Sequence, residues 1–407
     1  MIFGVRPHEA AWLNCDASRL LKAQSCLRSP RGDDFRLINI MPWKLRILIV
    51  LFLLLLGLPV LVPAGSEPLT LTAVGDIMMG SAGQRTALPP NDGEGLFQEV
   101  GAHLRGGDLV FGNLEGTLSD GEEGGKCRED KSPWCFEFRT PTRYVRHLKQ
   151  NGFNVVNLAN NHAWDFGPEG IGNTLETLQG AGIKAAGGTI LAFFEIRGKR
   201  IALAGFSYKA SKYSYSILEI PQAAEIVRHL KATHDLVIVS FHGGAEGRSA
   251  QHVADRNEVF LGENRGNVVR FARSVVEAGA DLVLGHGPHV LRAMEVYQGK
   301  LIAYSLGNFL TYGLFNLKGP SGISVILKVR LDPESGRFLD GRLIPVKLVN
   351  GGLPEIDPEG EGVRIVRRLS EGDLDSRHLT VDENGCLRLA AGTRTCASER
   401  NQAVGRR

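Results

Sequence analysis

The chain has 407 residues, of which 43% are hydrophobic and 22% charged, and this apolar content over this length excludes disorder for most of it. Six Cys are too few for a small disulfide-stapled scaffold. Of the net charge of +3, residues 1–46 carry eight Lys/Arg against four Asp/Glu, which leaves 39 against 40 beyond them and no basic field for nucleic acid.

Residues 1–40 mix Arg, Asp and Cys without a period and read as an extension that precedes the real start. Met41-Pro42-Trp43-Lys44 begins an ordinary signal layout, so translation is expected to start at Met41. Lys44 and Arg46 then lead into the apolar run Ile47–Val62, followed by Pro63, Ala64, Gly65 and Ser66. Its 16 residues fall short of the ~20 of a membrane span and suit a signal-peptide core, with Val62-Pro63-Ala64 as cleavage site. An uncleaved N-terminal anchor is the rival reading. Either one exports the body of the protein. No other long apolar run exists, so a polytopic membrane protein is excluded.

From residue 65 to about 350 an apolar strand, a polar loop and an amphipathic helix alternate. Strands are expected at Leu69–Val74, Asp108–Gly112, Phe153–Leu158, Ile201–Phe206, Leu236–Phe241 and Asp281–Gly285. Helices are expected at Leu96–Leu104, Pro141–Asn151, Gly167–Ala181, Pro221–Thr233 and Asn267–Ala278. That alternation is the α/β pattern. From about Val290 hairpins take over, which suggests a second sheet packed on the first. Residues 351–407 read as a loosely attached tail with one short helix (Gly362–Ser370) and a hairpin at Asn384-Gly385.

Five strands run into polar residues able to hold a metal. They are Gly75-Asp76; Asn113-Leu114-Glu115; Asn160-Asn161-His162 with Asp165; His242-Gly243-Gly244-Ala245-Glu246; and Gly285-His286-Gly287-Pro288-His289. Ligands of α/β sheets bind outside the carboxyl ends of strands, and neighbouring Gly lets backbone and ligand approach. Residue by residue, plainer readings exist. Asp76 could cap a helix, Asn161 could occupy a left-handed turn, Glu246 could be solvated, and His242 could be a core histidine. The pair His286/His289 across a Gly-Pro turn is the hardest to explain structurally. The seven other His read as solvated. Cys127/Cys135 and Cys386/Cys396 are close enough to form two disulfides in an oxidising compartment, each worth ~2–3 kcal/mol, with free thiols as the alternative.

The ordered set Gly75-Asp76, Asn113-Leu114-Glu115, Asn161-His162-Ala163-x-Asp165-x-Gly167, His242-Gly243-x-x-Glu246, Gly285-His286-x-Pro288-His289 and Tyr304-Ser305-Leu306-Gly307-Asn308 resembles the CapA-type family of bacterial capsule and poly-γ-glutamate biosynthesis. That family is similar to the calcineurin-like metallophosphoesterases, which implies a four-layer α/β/β/α sandwich over about Leu69–Lys347. The resemblance further implies a divalent metal site (one or two ions of the Mn, Zn or Fe class) held by Asp76, Glu115, Asn161, His242, His286 and His289. Asn113, Glu246 and Asn308 would line it. His162, with Asp165 nearby, would protonate the leaving group. Four positions depart from the phosphoesterase pattern: Asp165 is displaced from its usual place after Asn-His, His289 follows one extra residue in its turn, and the first two strands differ. Met78 stands where Asp-x-His is usual, and Glu115 replaces the bridging Asp of the second strand. Membrane-bound ligase or export components and an anionic polymer are the implied partners.

Three functions remain open on these residues: an exported, membrane-proximal factor for capsule-type polymer; a metal-dependent hydrolase of phosphoesters or of the polymer amide; and a binding module for an anionic chain. A serine triad is not suggested, since no Gly-x-Ser-x-Gly elbow exists, and no phosphate-binding glycine loop follows a strand.

Overall fold

β1 (Leu69–Met78) is buried at nine of ten positions, as expected of a strand covered on both faces. The computed structural model of the protein describes residues 67–390 except 84, 122–123, 129–131, 133–134, 210–213 and 375–377. The extension, the apolar run 47–62 and Cys396 lie outside the described residues. Among those described, no helix is long and apolar enough to cross a membrane.

Parallel to β1 run β2 (Leu109–Leu114), β3 (Val155–Asn157) and β4 (Lys184–Ala186), in that order away from it. The chain then builds β5 (Ala192–Ile196), β6 (Lys199–Ser207), β7 (Leu236–His242), β8 (Leu282–His286), β9 (Met294–Tyr297) and β10 (Lys300–Ala303). These form a second sheet in the order β9-β10-β8-β7-β6-β5. It returns to the first sheet with β11 (Asn308–Thr311), β12 (Ile323–Leu331), β13 (Phe338–Val349), β14 (Leu353–Ile356), β15 (Leu379–Val381) and β16 (Cys386–Leu389).

Alternate residues of the first sheet explain the layering. Leu71, Ala73, Leu109, Phe111 and Val155 share one core with Leu203, Val239 and Val283 of the second sheet. Val74, Ile77, Val110 and Val156 point the other way, into a core with Leu148 of helix α1 (Val145–Gln150) and Leu178 of α2 (Gly167–Gly180). The far face of the second sheet is covered by α3 (Ile220–Thr233) and α4 (Val268–Glu277). The result is the α/β/β/α sandwich implied by the resemblance.

Two sequence expectations need correction. The hairpin half does not make the second sheet by itself: β12 and β13 join the first, with Leu69 opposite Leu331 in an antiparallel pair. Local pattern specifies a strand but not its neighbour. The stretch from 351 is not loose where it is described. Helix α5 (Glu361–Asp373) buries Val363, Ile365, Val366 and Leu369 against β12, β13 and β9, and β16 pairs with β13. The helix expected at Gly362–Ser370 is there, longer at both ends; what the local pattern did not show is the sheet it packs against.

Candidate metal centre

Parallel pairing gathers the strand ends. β7 and β8 run in register with His242 beside His286, and Asp76 lies beside both Asn113 and Asn308 at a bulge in β1. Gly75 is required here, because a Cβ on it would lie 1.9 Å from the Gly307 carbonyl oxygen. The Asp76 amide donates to that same oxygen at 2.9 Å. Gly287, at φ 109°, turns the chain back over His242 so that His289 reaches the cluster. His289 itself takes a left-handed φ of 57°.

Asp76, Glu115 and His289 each bring one donor atom within 4.8 Å of the others. His289 Nδ1 stands 3.0 Å from Asp76 Oδ2, and its Nε2 stands 3.7 Å from Glu115 Oε1. On the other side of Glu115, His242 Nε2 is 4.0 Å from the same oxygen, and His286 Nδ1 is 3.5 Å from Asp76 Oδ1. Asp76, Glu115, His242 and His286 are fully buried. Both Glu115 oxygens, His242 Nε2, both His286 nitrogens and Asn161 Oδ1 lack hydrogen-bond partners among the described residues. Such orphaned buried atoms cost about 1–3 kcal/mol each unless something else satisfies them. Carboxylate and imidazole donors together suit a divalent ion. The residues present therefore fit a metal.

Charge inside the cluster is unevenly held. Burial works against Asp76, yet its contacts with His286 and His289 outweigh burial and keep its carboxyl well below the usual carboxylate range. Burial, with the carboxylates of Asp76, Glu246 and Asp165, pushes Glu115 up to about 8 against the pull of His289. His289 is opposed by burial but raised to about 10 by Glu115, Asp76 and Glu246. Burial holds His242 well below its ordinary value.

Asn113 ties the floor together. It donates to Asp76 Oδ1 at 2.8 Å and accepts from Asn157 at 2.8 Å and Asn160 at 3.1 Å. Asn160 in turn accepts the His162 amide at 3.0 Å, which fixes the start of the loop bearing the proposed acid. His162 Nδ1 sits 2.7 Å from Asp165 Oδ2, and burial lowers its pKa against the effect of Asp165. Asp165 thus contacts His162 directly and reaches the metal cluster only through its charge on Glu115. Asn308 Oδ1 faces His289 Nδ1 at 3.1 Å. Glu246 is drawn to Arg265 at 2.6 Å, not solvated.

The sequence missed several contributors. Asn157 was visible as an amide at an apolar strand end, next to the Asn160 already named there. Lys126, 2.6 Å from Asp165 Oδ1, and Phe138, whose ring lies 4.2 Å from that of His162, carry no local signal. Nor does Phe315, 5.3 Å from the His289 ring, or the buried Arg265 over Tyr208. Met78 is buried with its sulfur accepting the Gly80 amide at 3.2 Å. Cys127–Cys135 forms the first expected disulfide; the second involves Cys396, outside the described residues. His147, expected to be solvated, is buried with Nε2 2.8 Å from the Asp92 carbonyl.

Comparison with known proteins places this arrangement. Over 326 residues the chain is 27% identical to the capsule biosynthesis protein CapA of Bacillus anthracis, covering 75% of this chain and 74% of that one. It is 31% identical over 264 residues to the PGA biosynthesis protein CapA of Bacillus subtilis, covering 60% and 63%. A "probable polyglutamine synthesis accessory protein" of Mycobacterium tuberculosis is 26% identical over 275 residues, covering 59% and 66%. Residues 70–312, more than half of the chain and all five motif-bearing strand ends, match the model of the bacterial capsule synthesis protein PGA_cap, and the chain belongs to that family.

Proposed function

We propose that this chain is an exported, membrane-proximal factor in the synthesis of a capsule-type or poly-γ-glutamate polymer, acting as a hydrolase through one divalent metal ion at the strand ends. The observation that carries the hydrolase reading is the set of unpartnered buried atoms on Glu115, His242 and His286 around Asp76 and His289. These five residues would hold the ion, with Asn161 as the further ligand that the resemblance implies. The chemistry a divalent ion supplies when bound is acidification of water, so that hydroxide is available near neutral pH. His162, with Nδ1 held by Asp165, would move a proton at Nε2 to or from the leaving group, a contribution of about 10²–10⁴. Phe138 and Phe315 would wall bulk water off from the ring nitrogens.

The association with capsule polymer is supported by family membership and by the names of the Bacillus relatives. Export is supported by the run 47–62 and its basic flank. Membrane-bound ligase or export components would be the partners, and the anionic polymer the substrate or cargo. A second reading, a binding module for that polymer, is favoured by Met78, whose sulfur is spent on the Gly80 amide where a second metal would need a ligand.

Metal analysis of purified residues 65–407 separates the two. His242→Ala or His286→Ala is expected to abolish metal retention, while His162→Ala keeps the metal and loses activity. A metal-free protein after metal-supplemented purification, together with His variants that still support polymer production in the cell, would leave the binding module standing. Export from Met41 is checked by placing stop codons between Met1 and Met41: loss of the protein refutes that start.

A further inference from the structure

Lys126 and Phe138 grip the His162–Asp165 pair from two flanks. On one flank, the Lys126 amide donates to the Asp165 carbonyl at 2.7 Å while its ammonium sits 2.6 Å from Asp165 Oδ1. On the other, the Phe138 amide donates to Asp165 Oδ2 at 2.7 Å, and the Phe138 ring lies against His162. The two flanks are tied to each other twice: by the Cys127–Cys135 disulfide, and by the Cys127 amide donating to Glu137 Oε2 at 3.0 Å. Asp165 is fully buried as a side chain, while Lys126 is 39% exposed.

We infer that Lys126 and Phe138, held in place by the Cys127–Cys135 disulfide, are positioning residues that lock Asp165 onto His162 Nδ1 and so aim the ring. Two hydrogen-bond donors, the His162 ring and the Phe138 amide, share Asp165 Oδ2, and the Lys126 ammonium forms an ion pair with Oδ1. The Phe138 amide on Oδ2 and the Lys126 charge beside Oδ1 thus hold one oxygen each and oppose rotation of the carboxylate away from the imidazole. Charge-assisted hydrogen bonds of this length are the strong kind, and a carboxylate fixed this way selects the tautomer with its proton on Nδ1. None of these groups belongs to the metal-binding set, so their loss leaves the ion in place. The inference rests on the proposed role of His162 for its effect on rate, but the locking itself is observable without turnover.

The test uses metal-loaded protein with the disulfide intact, nitrogen-15 labelled at histidine. In the unaltered protein, the His162 Nδ1 proton is expected as a downfield, slowly exchanging resonance, identified by its disappearance in His162→Ala. Lys126→Met, and separately Cys127→Ser with Cys135→Ser, are expected to broaden or lose that resonance with metal content unchanged. Lys126→Arg, which restores a cation, is expected to retain it. With bis(p-nitrophenyl) phosphate and with poly-γ-glutamate as probes, Lys126→Met lowers kcat about tenfold or more with KM little changed, less than the loss in His162→Ala. A resonance equally sharp and protected in Lys126→Met and in the Ser variant overturns the inference. If the resonance is lost but the unaltered protein turns over neither probe, the locking stands and the hydrolase reading falls.

Discussion

Glu115 is the residue whose environment says most about the site. A carboxyl raised to about 8 by burial and by neighbouring carboxylates is protonated at neutral pH in the metal-free protein, and the proton must leave for the oxygen to bind an ion. Metal affinity is therefore expected to rise as pH rises toward 8, by up to about tenfold per pH unit. Glu115→Gln removes the titrating group, so it should bind more weakly and with a flatter pH dependence. Isothermal titration calorimetry in buffers of different ionisation enthalpy measures both the affinity and the protons released. Equal pH slopes in the two proteins would remove Glu115 from the site.

Elements matter because the donors sit on strand ends that are themselves close-packed. β1 and the Gly307 turn before β11 touch through Gly75, where there is no room for a side chain. Gly75→Ala must push them apart, at a cost of about 1–3 kcal/mol, and must carry Asp76 away from His289 with them. Lower thermal stability together with reduced metal retention is the expected result; an unchanged melting temperature would mean that the close approach is relieved elsewhere. The disulfide loop offers an independent check on stability. Opening Cys127–Cys135, eight residues apart, should cost about 2–3 kcal/mol by releasing the unfolded chain, readable as a lower denaturation midpoint.

Across the whole molecule, the cluster predicts how stability depends on pH. Glu115, raised from its ordinary 4.5 to about 8, loses its proton in the unfolded chain first, so stability falls as pH rises between those values. His289, raised from 6.5 to about 10, contributes stability that is complete below 6.5 and is lost as pH rises through 10. Both act in the same direction between pH 6.5 and 8. The depressed Asp76 contributes fully throughout that range, since its stabilisation is lost only at acid pH. The metal-free protein should therefore melt lower at pH 9 than at pH 6, by about 2–4 °C for each kcal/mol lost, and a bound divalent ion should flatten the curve. Thermal melts with chelator and with added Mn or Zn test this; a metal-free melting temperature that climbs toward pH 9 would contradict it. The α/β class and five polar strand ends were legible in the sequence, because apolar runs and the Gly-flanked Asp, Glu and His after them are local features. So was the first disulfide, from two Cys eight residues apart. Strand order was not legible, and β12 and β13 joined the first sheet because pairing partners are chosen by global packing. Nor were Lys126, Phe138, Phe315 and Arg265, which have no motif of their own and gain a role only where another segment lies against them. The sequence by itself determined which chemistry is available at each strand end. Only the tertiary structure decided which of those groups share a buried space, because donor distances depend on strand register and on the Gly75–Gly307 contact, neither of which any single segment encodes.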